Sequence, residues 1–450
     1  MDIKTFFEPR SIAVLGVSKT PDKVGSVIFK NLIDSMYKGK VFAVNPNEDF
    51  VLGHKSYHFV KDIKDKIDLA VIAVPSEVVI KVVRECAQKN IKNILMVTAG
   101  FSETGNLKLE KELLEILNKN NMRLIGPNVL GLINNYNNFD TLFIPLYRLK
   151  RPRKGNISFV TQSGAFGSSV LDLISAEGYG LSKFVSYGNC LDVDESDFLD
   201  YLNKDKTTDV IVLYIEGIKN GKKFFETLKK IKKPVIVLKG GKFSESSKST
   251  LSHTGSLAGT YEVYKGVFLQ TGVVFADSIQ DVFDFLRLFE KKIKIRGNRI
   301  QIITNGGGHG VISADAVIDN EMKLAELSEQ SKKFFKKSLP SIATISNPLD
   351  LVGDADDLRY KLAIETCLND KNNDVILVNL LYQTPRLTQN IVKILFDLNS
   401  KSIKPIVVVS TGSYLTKDLE REIENIGIPC FQFPENAVKS IKAVYDYYKK

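Results

Sequence analysis

Short runs of Val, Ile and Leu alternate along the chain with segments whose apolar residues recur at helical spacing. The early runs are SIAVLGV, KVFAVN, DLAVIAV and NILMVTAG, and the later ones are NISFVT, DVIVLYIE, PVIVLKGG, RIQIITN, DVILVNLL and PIVVVSTG. A continuous apolar run indicates a strand that is buried on both faces, as in a parallel sheet covered by helices. The pattern therefore predicts an α/β fold built from successive strand and helix units.

The last two thirds of the chain contain an internal repeat. GNISFVTQSGAFG matches GNRIQIITNGGGHG, and DVIVLYIE and KPVIVLKGG match DVILVNLL and KPIVVVSTG in the same order. The repeat predicts two duplicated flavodoxin-like domains after an N-terminal Rossmann-like domain. The basic stretches RLKRPRKGN and KKIKIRGN mark the boundaries, which predicts domains over 1–146, 147–293 and 294–450.

The two copies differ where the first has an inserted segment. The stretch from Gly241 to Gly272 is roughly twice as long as the matching stretch from Gly412 to Gly427, and the extra residues include LSHTGSLAG. This sequence presents His253 among Ser, Thr and Gly, with few apolar neighbours to bury it. Insertions of this kind lie at the surface and often carry function, so His253 is the first candidate for chemistry.

Composition and charge narrow the class of the protein. The 450 residues carry a net charge of +10, which fits either a lysine-rich surface or attraction to anionic ligands. No basic run is interleaved with aromatic residues, and no apolar run approaches the roughly 18 residues of a membrane helix, so neither nucleic acid nor membrane is expected as a partner. The four separated cysteines and the missing signal-peptide pattern predict a cytoplasmic protein with reduced thiols.

Two glycine-rich turns join a strand to a helix in the duplicated domains. Small residues at such a turn let backbone N–H groups and the positive end of the helix face an anion. In TQSGAFGSS the candidate phosphate contacts are Ser163 and Gly164, although a plain tight turn would have a similar sequence. His309 lies in TNGGGHG, where no inserted segment accompanies the turn, and we expect a structural or partner-facing role for it.

Glu216 and His253 are the residues with catalytic potential. Glu216 ends the strand DVIVLYIE, where a carboxylate can orient an imidazole and raise its basicity, although an acid near a helix N-cap is a common alternative. His253 has no His, Cys or carboxylate at metal-ligand spacing, and the chain has no GxSxG elbow. Phosphorylation of His253 fits the glycine-rich segment best, and no metal site is predicted on this chain.

The predicted first domain presents turns at the carboxyl ends of its strands, where doubly wound sheets bind ligands. Its first turn, GVSKTPDKVG, lacks the GxGxxG fingerprint, which disfavours an NAD-binding domain. Lys23 is a possible phosphate contact, although this residue alone fits an ordinary surface lysine better. The candidate cofactor-binding residues in these turns are Gly16, Ser18, Lys23, Gly25, Asn45, Pro46, Val74, Pro75, Gly100 and Asn128.

The motifs GPNVLG, TQSGAFG, YIEG and SHTGSLAG, taken together, resemble the α subunit of ADP-forming acetyl-CoA synthetases. That group belongs to the NDP-forming acyl-CoA synthetases of the succinyl-CoA synthetase superfamily, and the resemblance covers essentially the whole chain. It implies that the first domain binds coenzyme A, that His253 is transiently phosphorylated with Gly255 among the phosphate contacts, and that Glu216 supports the imidazole. One departure is TNGGGHG, since the family more often has proline where His309 stands.

The resemblance implies an acid–thiol ligase that interconverts acyl-CoA, ADP and phosphate with a carboxylic acid, ATP and CoA through an acyl phosphate. No GxxxxGK[ST] loop is present, and three domains fill the chain, so it also implies an ATP-grasp β subunit that holds ADP or ATP with Mg²⁺, in an α2β2 assembly. The alternatives are a succinyl-CoA synthetase α subunit, a non-catalytic CoA-binding regulatory protein and an NAD-dependent oxidoreductase. The acyl group is left open among acetate, branched-chain and aryl acids.

Overall fold

The apolar runs form the central strands of three sheets in the computed structural model, which describes residues 3–243 and 261–449. By its internal contacts the chain divides into two units, Met1–Asp277 and Ser278–Lys450. The first unit contains two of the sheets, and the second unit contains the third. None of the helices in the described ranges combines the length and apolar content that crossing a bilayer requires.

The first sheet has the strand order of a doubly wound nucleotide-binding fold. Six parallel strands run in the order β4-β2-β1-β5-β6-β7, and β3 adds an antiparallel edge. The central strands are fully buried because their residues are nearly all Val, Ile, Leu and Ala. The strands are β1 (Ser11–Leu15), β2 (Lys40–Val44), β3 (Phe50–Val51), β4 (His54–Tyr57), β5 (Leu69–Ile72), β6 (Asn93–Met96) and β7 (Arg123–Ile125), and the helices are α1 (Lys4–Phe7), α2 (Val24–Asp34), α3 (Ser76–Gln88) and α4 (Leu107–Lys119).

The second sheet has a flavodoxin-like parallel centre, in the order β11-β10-β12-β13-β14. Two short strands extend it beyond β11 as an antiparallel edge. The strands are β8 (Leu132–Asn134), β9 (Phe139–Asp140), β10 (Lys154–Thr161), β11 (Leu181–Ser186), β12 (Val210–Ile215), β13 (Val235–Lys239) and β14 (Val274–Ala276), and the described helices are α5 (Gly164–Ala176), α6 (Glu195–Lys204), α7 (Gly221–Lys230) and α8 (Tyr261–Thr271).

The third sheet repeats the parallel order of the second, as β16-β15-β18-β19-β20, with β17 pairing beside β15. The shared order confirms the duplicated flavodoxin-like fold that the sequence repeat predicts. The strands are β15 (Arg299–Thr304), β16 (Lys323–Leu324), β17 (Leu349–Asp350), β18 (Val375–Asn379), β19 (Ile406–Val409) and β20 (Cys430–Phe431), and the helices are α9 (Ile279–Phe289), α10 (Gly307–Asp319), α11 (Glu329–Ser338), α12 (Asp357–Asn369), α13 (Asn390–Asn399), α14 (Thr416–Asn425) and α15 (Pro434–Tyr448).

The first two sheets share one hydrophobic core. Phe7 of α1 stacks on Tyr201 of α6, with ring centroids 4.5 Å apart, and also contacts Phe198 edge-on at 6.5 Å. An ion pair at 2.8 Å joins Arg123 of β7 to Asp192, a residue that precedes α6. The Rossmann-like and first flavodoxin-like parts are therefore packed as a single unit.

Two parts of the chain pack with a different sheet or unit from the one to which the predicted domain boundaries assign them. The strands β8 and β9 fall within 1–146, yet β8 pairs with β11 of the second sheet. The helix α9 falls within 147–293, yet it packs in the Ser278–Lys450 unit, where Lys439 of α15 pairs with Asp281 at 2.8 Å. A strand edge pairs with whichever neighbouring strand satisfies its backbone hydrogen bonds, and an apolar helix face packs against whichever element buries it. The positions of the basic stretches in the sequence do not indicate where these partner elements lie. In other respects the boundaries stay predictions.

Candidate active site

Three helices of the first unit begin at one cavity of about 820 Å³. Its lining includes Val24, Ser76 and Gly164, which are the first residues of α2, α3 and α5. The first N–H groups of a helix have no partner within the helix, and the helix dipole makes this end positive. Three such ends facing one space suit a ligand with several anionic groups.

The turn before α5 is capped by a side chain. Ser163 is the N-cap residue, and its Oγ accepts a hydrogen bond from the N–H of Phe166 at 3.3 Å. Gly167 lies so close to β10 that a Cβ atom there would be 2.6 Å from Cγ2 of Thr161. Ser163 and Gly164, the predicted phosphate contacts, both line the cavity.

Glu216 also lines the cavity, directly after β12, and its position is fixed by neighbouring residues. The hydroxyl of Tyr214 donates to Oε1 of Glu216 at 3.3 Å. The side-chain oxygen of Gln162 accepts from the backbone N–H groups of Glu216 at 2.7 Å and of Gly217 at 3.1 Å. Glu216 and the Ser163 turn are thus connected through Gln162, which precedes Ser163.

The charged groups around Glu216 are partly desolvated. Burial raises the pKa of Tyr214, and the charge of Glu216 raises it further, so Tyr214 is a neutral donor at physiological pH. Burial lowers the pKa of Lys239, while the charge of Glu216 acts in the opposite direction. The ammonium group of Lys239 lies 4.9 Å from the ring centroid of Tyr264, a cation–π distance.

The structure brings three predicted coenzyme-binding residues to the same cavity. Val74 and Pro75 line it after β5, and Asn128 lines it after β7. Asn128 has a φ of 63°, a left-handed conformation that asparagine tolerates, and its Nδ2 lies 3.4 Å from Oδ1 of Asn189. Thr98 fixes the turn after β5 by donating to the carbonyl of Val74 at 2.7 Å. These turns and the Ser163 turn therefore face one space.

The other predicted coenzyme-binding residues do not line this cavity. Gly16 and Gly25 allow α2 to approach β1, because a Cβ atom on Gly25 would lie 2.4 Å from the carbonyl oxygen of Gly16. Gly16 itself has a φ of 100°, which favours glycine. Their role in the structure is therefore close packing behind the first residue of α2.

The remaining predicted residues shape the turns around the cavity. The carbonyl of Ser18 accepts from Ser26 Oγ at 2.8 Å, and Asn45 Nδ2 donates to the carbonyl of Val17 at 2.5 Å. Lys23 is exposed at the N-cap of α2, directly before Val24 of the cavity. Two more positions follow the strands β2 and β6: the carbonyl of Pro46 lies 2.9 Å from Nδ1 of His58, and the N–H of Gly100 donates to Oε1 of Glu103 at 2.6 Å.

Asn189 and Glu103 form a contact that the sequence analysis missed. Nδ2 of Asn189, which lines the cavity, donates to Oε2 of Glu103 at 2.5 Å. Burial raises the pKa of Glu103, but the hydrogen bonds from Asn189 and from the Gly100 and Phe101 amides outweigh it and lower the pKa overall. The contact ties the first sheet to the second. Glu103 and Asn189 are 86 positions apart in the sequence, so no local sequence pattern indicates that their side chains are in contact.

The last three predicted residues are two histidines and a glycine. His253 and Gly255 fall outside the described residues, so their predicted roles stay predictions. His309 lies in the first turn of α10, in the second unit, and its carbonyl accepts from Ser313 Oγ at 2.8 Å. Its predicted structural or partner-facing role also stays a prediction.

Comparison with protein families divides the chain into three parts. A CoA binding domain matches residues 10–135, a succinyl-CoA ligase like flavodoxin domain matches residues 154–289, and a ligase-CoA domain matches residues 300–449. The α subunit of acetate–CoA ligase [ADP-forming] II from Pyrococcus furiosus is 38% identical over 449 residues, covering 98% of this chain and 96% of the relative. The chain belongs to the ADP-forming acetate–CoA ligase family.

Other members of the ADP-forming acetate–CoA ligase family extend this comparison. Acetate–CoA ligase [ADP-forming] from Methanocaldococcus jannaschii is 40% identical over 99% of this chain, but the match spans only 63% of that longer protein. The dinucleotide forming acetyl-coenzyme A synthetase 1 of Ca. Korarchaeum cryptofilum, solved in complex with phosphate and ADP, superposes with a TM-score of 0.92 at 35% identity, covering 99% of this chain and 97% of that chain. The family thus includes both separate α subunits and longer chains.

Proposed function

We propose that this chain is the α subunit of an ADP-forming acyl-CoA synthetase, an acid–thiol ligase. It interconverts acyl-CoA, ADP and phosphate with a carboxylic acid, ATP and CoA. The observation that carries the proposal is the cavity at which α2, α3 and α5 begin, with Glu216 at its wall. The names of the family members support the same reaction.

The cavity fits coenzyme A and phosphate as ligands. CoA carries several phosphate groups, and the positive ends of α2 and α3 lie on the side of the first sheet, with exposed Lys23 beside α2. Coenzyme A supplies the thiol that carries the acyl group. The N-terminus of α5, with Ser163 and Gly164, is then placed for the phosphate that reacts with the thioester. Val74, Pro75 and Asn128 line the same cavity.

The proposed reaction consists of three transfers, and the residues of this chain carry out the first two. In the first, a phosphate oxygen bonds to the thioester carbonyl carbon and the C–S bond breaks, while the backbone N–H groups at Gly164 stabilise the developing negative charge. In the second, an imidazole nitrogen of His253 bonds to phosphorus, the P–O bond to the acyl group breaks, and the carboxylate leaves. Glu216 accepts a hydrogen bond from the other ring nitrogen, which holds the reactive tautomer. The third passes the phosphoryl group from His253 to a terminal phosphate oxygen of ADP on the partner subunit, which forms ATP and frees the imidazole.

The cavity wall suggests the class of acid. Val129, Leu130, Phe143, Ile144 and Ala165 form an apolar part of the lining, and Glu216 is the only lining residue with a charged side chain in the described part of the chain. A second carboxylate on the acid would find no cation among these residues and would be repelled by Glu216. We therefore propose a monocarboxylic acid with an apolar chain, which disfavours the succinate alternative.

The nucleotide is proposed to bind to another polypeptide. The P. furiosus relative is a separate α subunit of almost the same extent as this chain, while the M. jannaschii relative is longer. We propose that the additional length of such relatives corresponds to a partner β subunit with an ATP-grasp fold, which holds ADP or ATP with Mg²⁺. An α2β2 assembly and a cytoplasmic location are part of the same proposal.

The phosphohistidine is tested by replacing His253 in the full chain assayed with its partner subunit. His253→Asn should lower ATP formation from acetyl-CoA, ADP and phosphate by more than about 10³-fold, because no other group replaces the nucleophile. His54→Asn is the matched control, since it makes the same change at an exposed histidine that does not line the cavity, and it should keep near-normal turnover. Near-normal turnover of His253→Asn would overturn the mechanism.

The ligand of the first sheet is tested separately by calorimetry on the full chain. We expect titration with CoA to show binding and titration with NAD to show none. The His253→Asn variant should bind CoA like the unaltered chain, because the histidine acts after CoA has bound. Binding of NAD without CoA would favour the oxidoreductase alternative, and CoA binding without any ligase activity in the presence of the partner would favour the regulatory one.

A further inference from the structure

We propose that Tyr214 is a positioning residue for phosphorylation of His253 and that it acts through Glu216. The inference rests on the proposed function, because it assigns a role in the histidine phosphorylation step. Three contacts of the Tyr214 side chain with described residues support it, and each involves a different structural element.

The first contact is with the acid itself. The hydroxyl of Tyr214 donates to Oε1 of Glu216 at 3.3 Å, and the two residues are separated by one position along the same strand end. Side chains two residues apart in a strand lie on one face of the sheet, so the hydroxyl approaches the carboxylate from the strand rather than from solvent. A donor on one oxygen restricts rotation of the carboxylate, and the orientation of the carboxylate determines the direction from which an imidazole N–H is accepted.

The second contact is with the phosphate turn. The ring of Tyr214 stacks on the ring of Phe166, with centroids 4.0 Å apart and an angle of 25° between the planes. Phe166 lies in the first turn of α5, and its N–H is the group that Ser163 caps at 3.3 Å. The ring of Tyr214 is therefore held by the same helix end that is proposed to bind phosphate, so the acid and the anion site are aligned through one side chain.

The third contact is with the end of β13. Gly240 follows this strand, and a Cβ atom at Gly240 would lie 2.6 Å from the hydroxyl oxygen of Tyr214. A larger residue at this position would displace the hydroxyl from Glu216. The absence of a side chain at Gly240 therefore gives the hydroxyl its room. The backbone of Glu216 is fixed independently, because Gln162 Oε1 accepts its N–H at 2.7 Å.

The electrostatic surroundings keep Tyr214 a hydrogen-bond donor. Burial raises the pKa of Tyr214, and the adjacent carboxylate raises it further, so the hydroxyl remains protonated at physiological pH. Among the described residues, Lys239 at the end of β13 and Tyr187 after β11 also interact electrostatically with Glu216. A change confined to the Tyr214 hydroxyl leaves both of them in place, so its effect reports on the hydroxyl alone.

Tyr214→Phe is the variant that tests the role, because it keeps the ring and its stack on Phe166 and removes only the donor. The full chain is incubated with [³²P]acetyl phosphate, and the rate of acid-labile protein labelling is measured. We expect labelling to slow by roughly ten- to hundred-fold, the scale of one hydrogen bond to a charged group. CoA binding and the melting temperature should change little.

Tyr136→Phe is the matched control. Its hydroxyl donates to the carbonyl of Gly155 at 3.3 Å, and the side chain is 48% exposed and does not line the active-site cavity. The control loses a hydrogen bond of the same length in the same unit, so it measures what removal of a tyrosine hydroxyl does in general. We expect it to label at the rate of the unaltered chain.

A double-mutant cycle separates positioning from a purely structural role. If Tyr214 acts through Glu216, then Tyr214→Phe should have little further effect on the labelling rate in a Glu216→Gln background. If the loss of the hydroxyl instead causes a general structural defect, Tyr214→Phe should lower the labelling rate by the same factor with Glu216 and with Gln at position 216. The acid limb of the labelling rate should also move to higher pH in Tyr214→Phe, because Glu216 loses a donor that favours its ionised form.

The outcomes distinguish the inference from the function on which it rests. An unaltered chain that is never labelled, or labelling that persists in His253→Asn, would overturn the proposed phosphohistidine. If the unaltered chain is labelled and Tyr214→Phe is labelled at the same rate as Tyr136→Phe, the proposed function stands and the role of Tyr214 is overturned. Additive effects in the double-mutant cycle would overturn the action through Glu216.

Discussion

Glu195 is a buried carboxyl group at the first residue of α6, shortly after the cavity-lining residues Gly188 and Asn189 in the sequence. It is 1% exposed, and its Oε2 lies 3.9 Å from the thiol sulfur of Cys190. Burial raises the pKa of Glu195 to about 7, so the folded protein holds a proton there that an unfolded chain would release near its ordinary value of 4.5. A carboxyl group close to the active site therefore titrates near neutrality.

This property predicts a pH-dependent effect of Glu195→Gln. Since the folded-state pKa is raised, the stability contributed by the neutral carboxyl is present at low pH and is lost as the pH rises from about 4.5 to about 7. The glutamine variant stays neutral, so it should equal the unaltered chain near pH 4.5 and be more stable at pH 8, by on the order of 2 kcal/mol. Chemical denaturation at the two pH values measures the difference. A difference that is independent of pH would contradict the prediction.

Ile144 is proposed to limit the size of the acid, because it lies on the apolar part of the cavity wall. Ile144→Ala enlarges the space there, so the ratio of kcat/KM for isobutyrate to that for acetate should rise by roughly ten-fold or more. Ile342→Ala is the matched control, since Ile342 is 74% exposed and belongs to the second unit. Steady-state kinetics with the two acids measure the ratio. An unchanged ratio would place the acyl chain elsewhere.

At the scale of elements, the Ser163 cap of α5 is expected to contribute both to the stability of the fold and to phosphate binding. Ser163 accepts from the N–H of Phe166, and replacing such a cap with alanine typically costs about 1 kcal/mol. Ser163→Ala should therefore lower the free energy of unfolding by about that amount and raise the KM for phosphate. Ser328→Ala is the control, because Ser328 caps α11 in the second unit and should cost stability without changing this KM. Equal KM values in both variants would argue against Ser163 as a phosphate contact.

The sequence predicts the long elements better than the short ones. Runs such as those of β1 and β12 are continuous and apolar, so their strand character and burial follow from local composition. The strand β9 has two residues, Phe139 and Asp140, and carries no periodicity; its place follows from pairing with β8. Short strands of this kind depend on distant partners that a local pattern does not contain.

The same limit applies to the candidate site. Glu216 and the Ser163 turn stand at strand ends and beside glycines, a local pattern that indicates chemistry from the sequence alone. Tyr214 and Gln162 lie within the quoted motifs YIEG and TQSGAFG, yet their roles depend on spatial contacts, such as the hydrogen bond between Gln162 and Glu216, which are 54 positions apart in the sequence. Sequence reasoning thus finds the candidate reacting groups and misses the residues that hold them.

At the scale of the whole molecule, the shared core of the first unit predicts how fragments behave. The predicted boundary at 146 would separate Phe7 from Tyr201 and β8 from β11. Loss of burial for one such phenylalanine costs about 2 kcal/mol, and the cut also leaves a strand edge unpaired. The fragment 1–146 should therefore aggregate or unfold non-cooperatively, whereas the fragment 1–277 should unfold cooperatively and bind CoA. Circular dichroism melting and calorimetry compare them; a stable fragment 1–146 that binds CoA would contradict this.

The three helix ends at the cavity have a consequence for how the protein tolerates mutation. The positive potential there is provided by main-chain amides, and these persist whichever side chains the helices carry. Alanine scanning of this wall will therefore underestimate its importance, since each substitution leaves the amide in place. Replacing single amides with esters by chemical ligation removes the donor itself. If the cavity binds anions as proposed, their affinity resides in the backbone, so the side chains around it are free to diverge while the ligand stays the same.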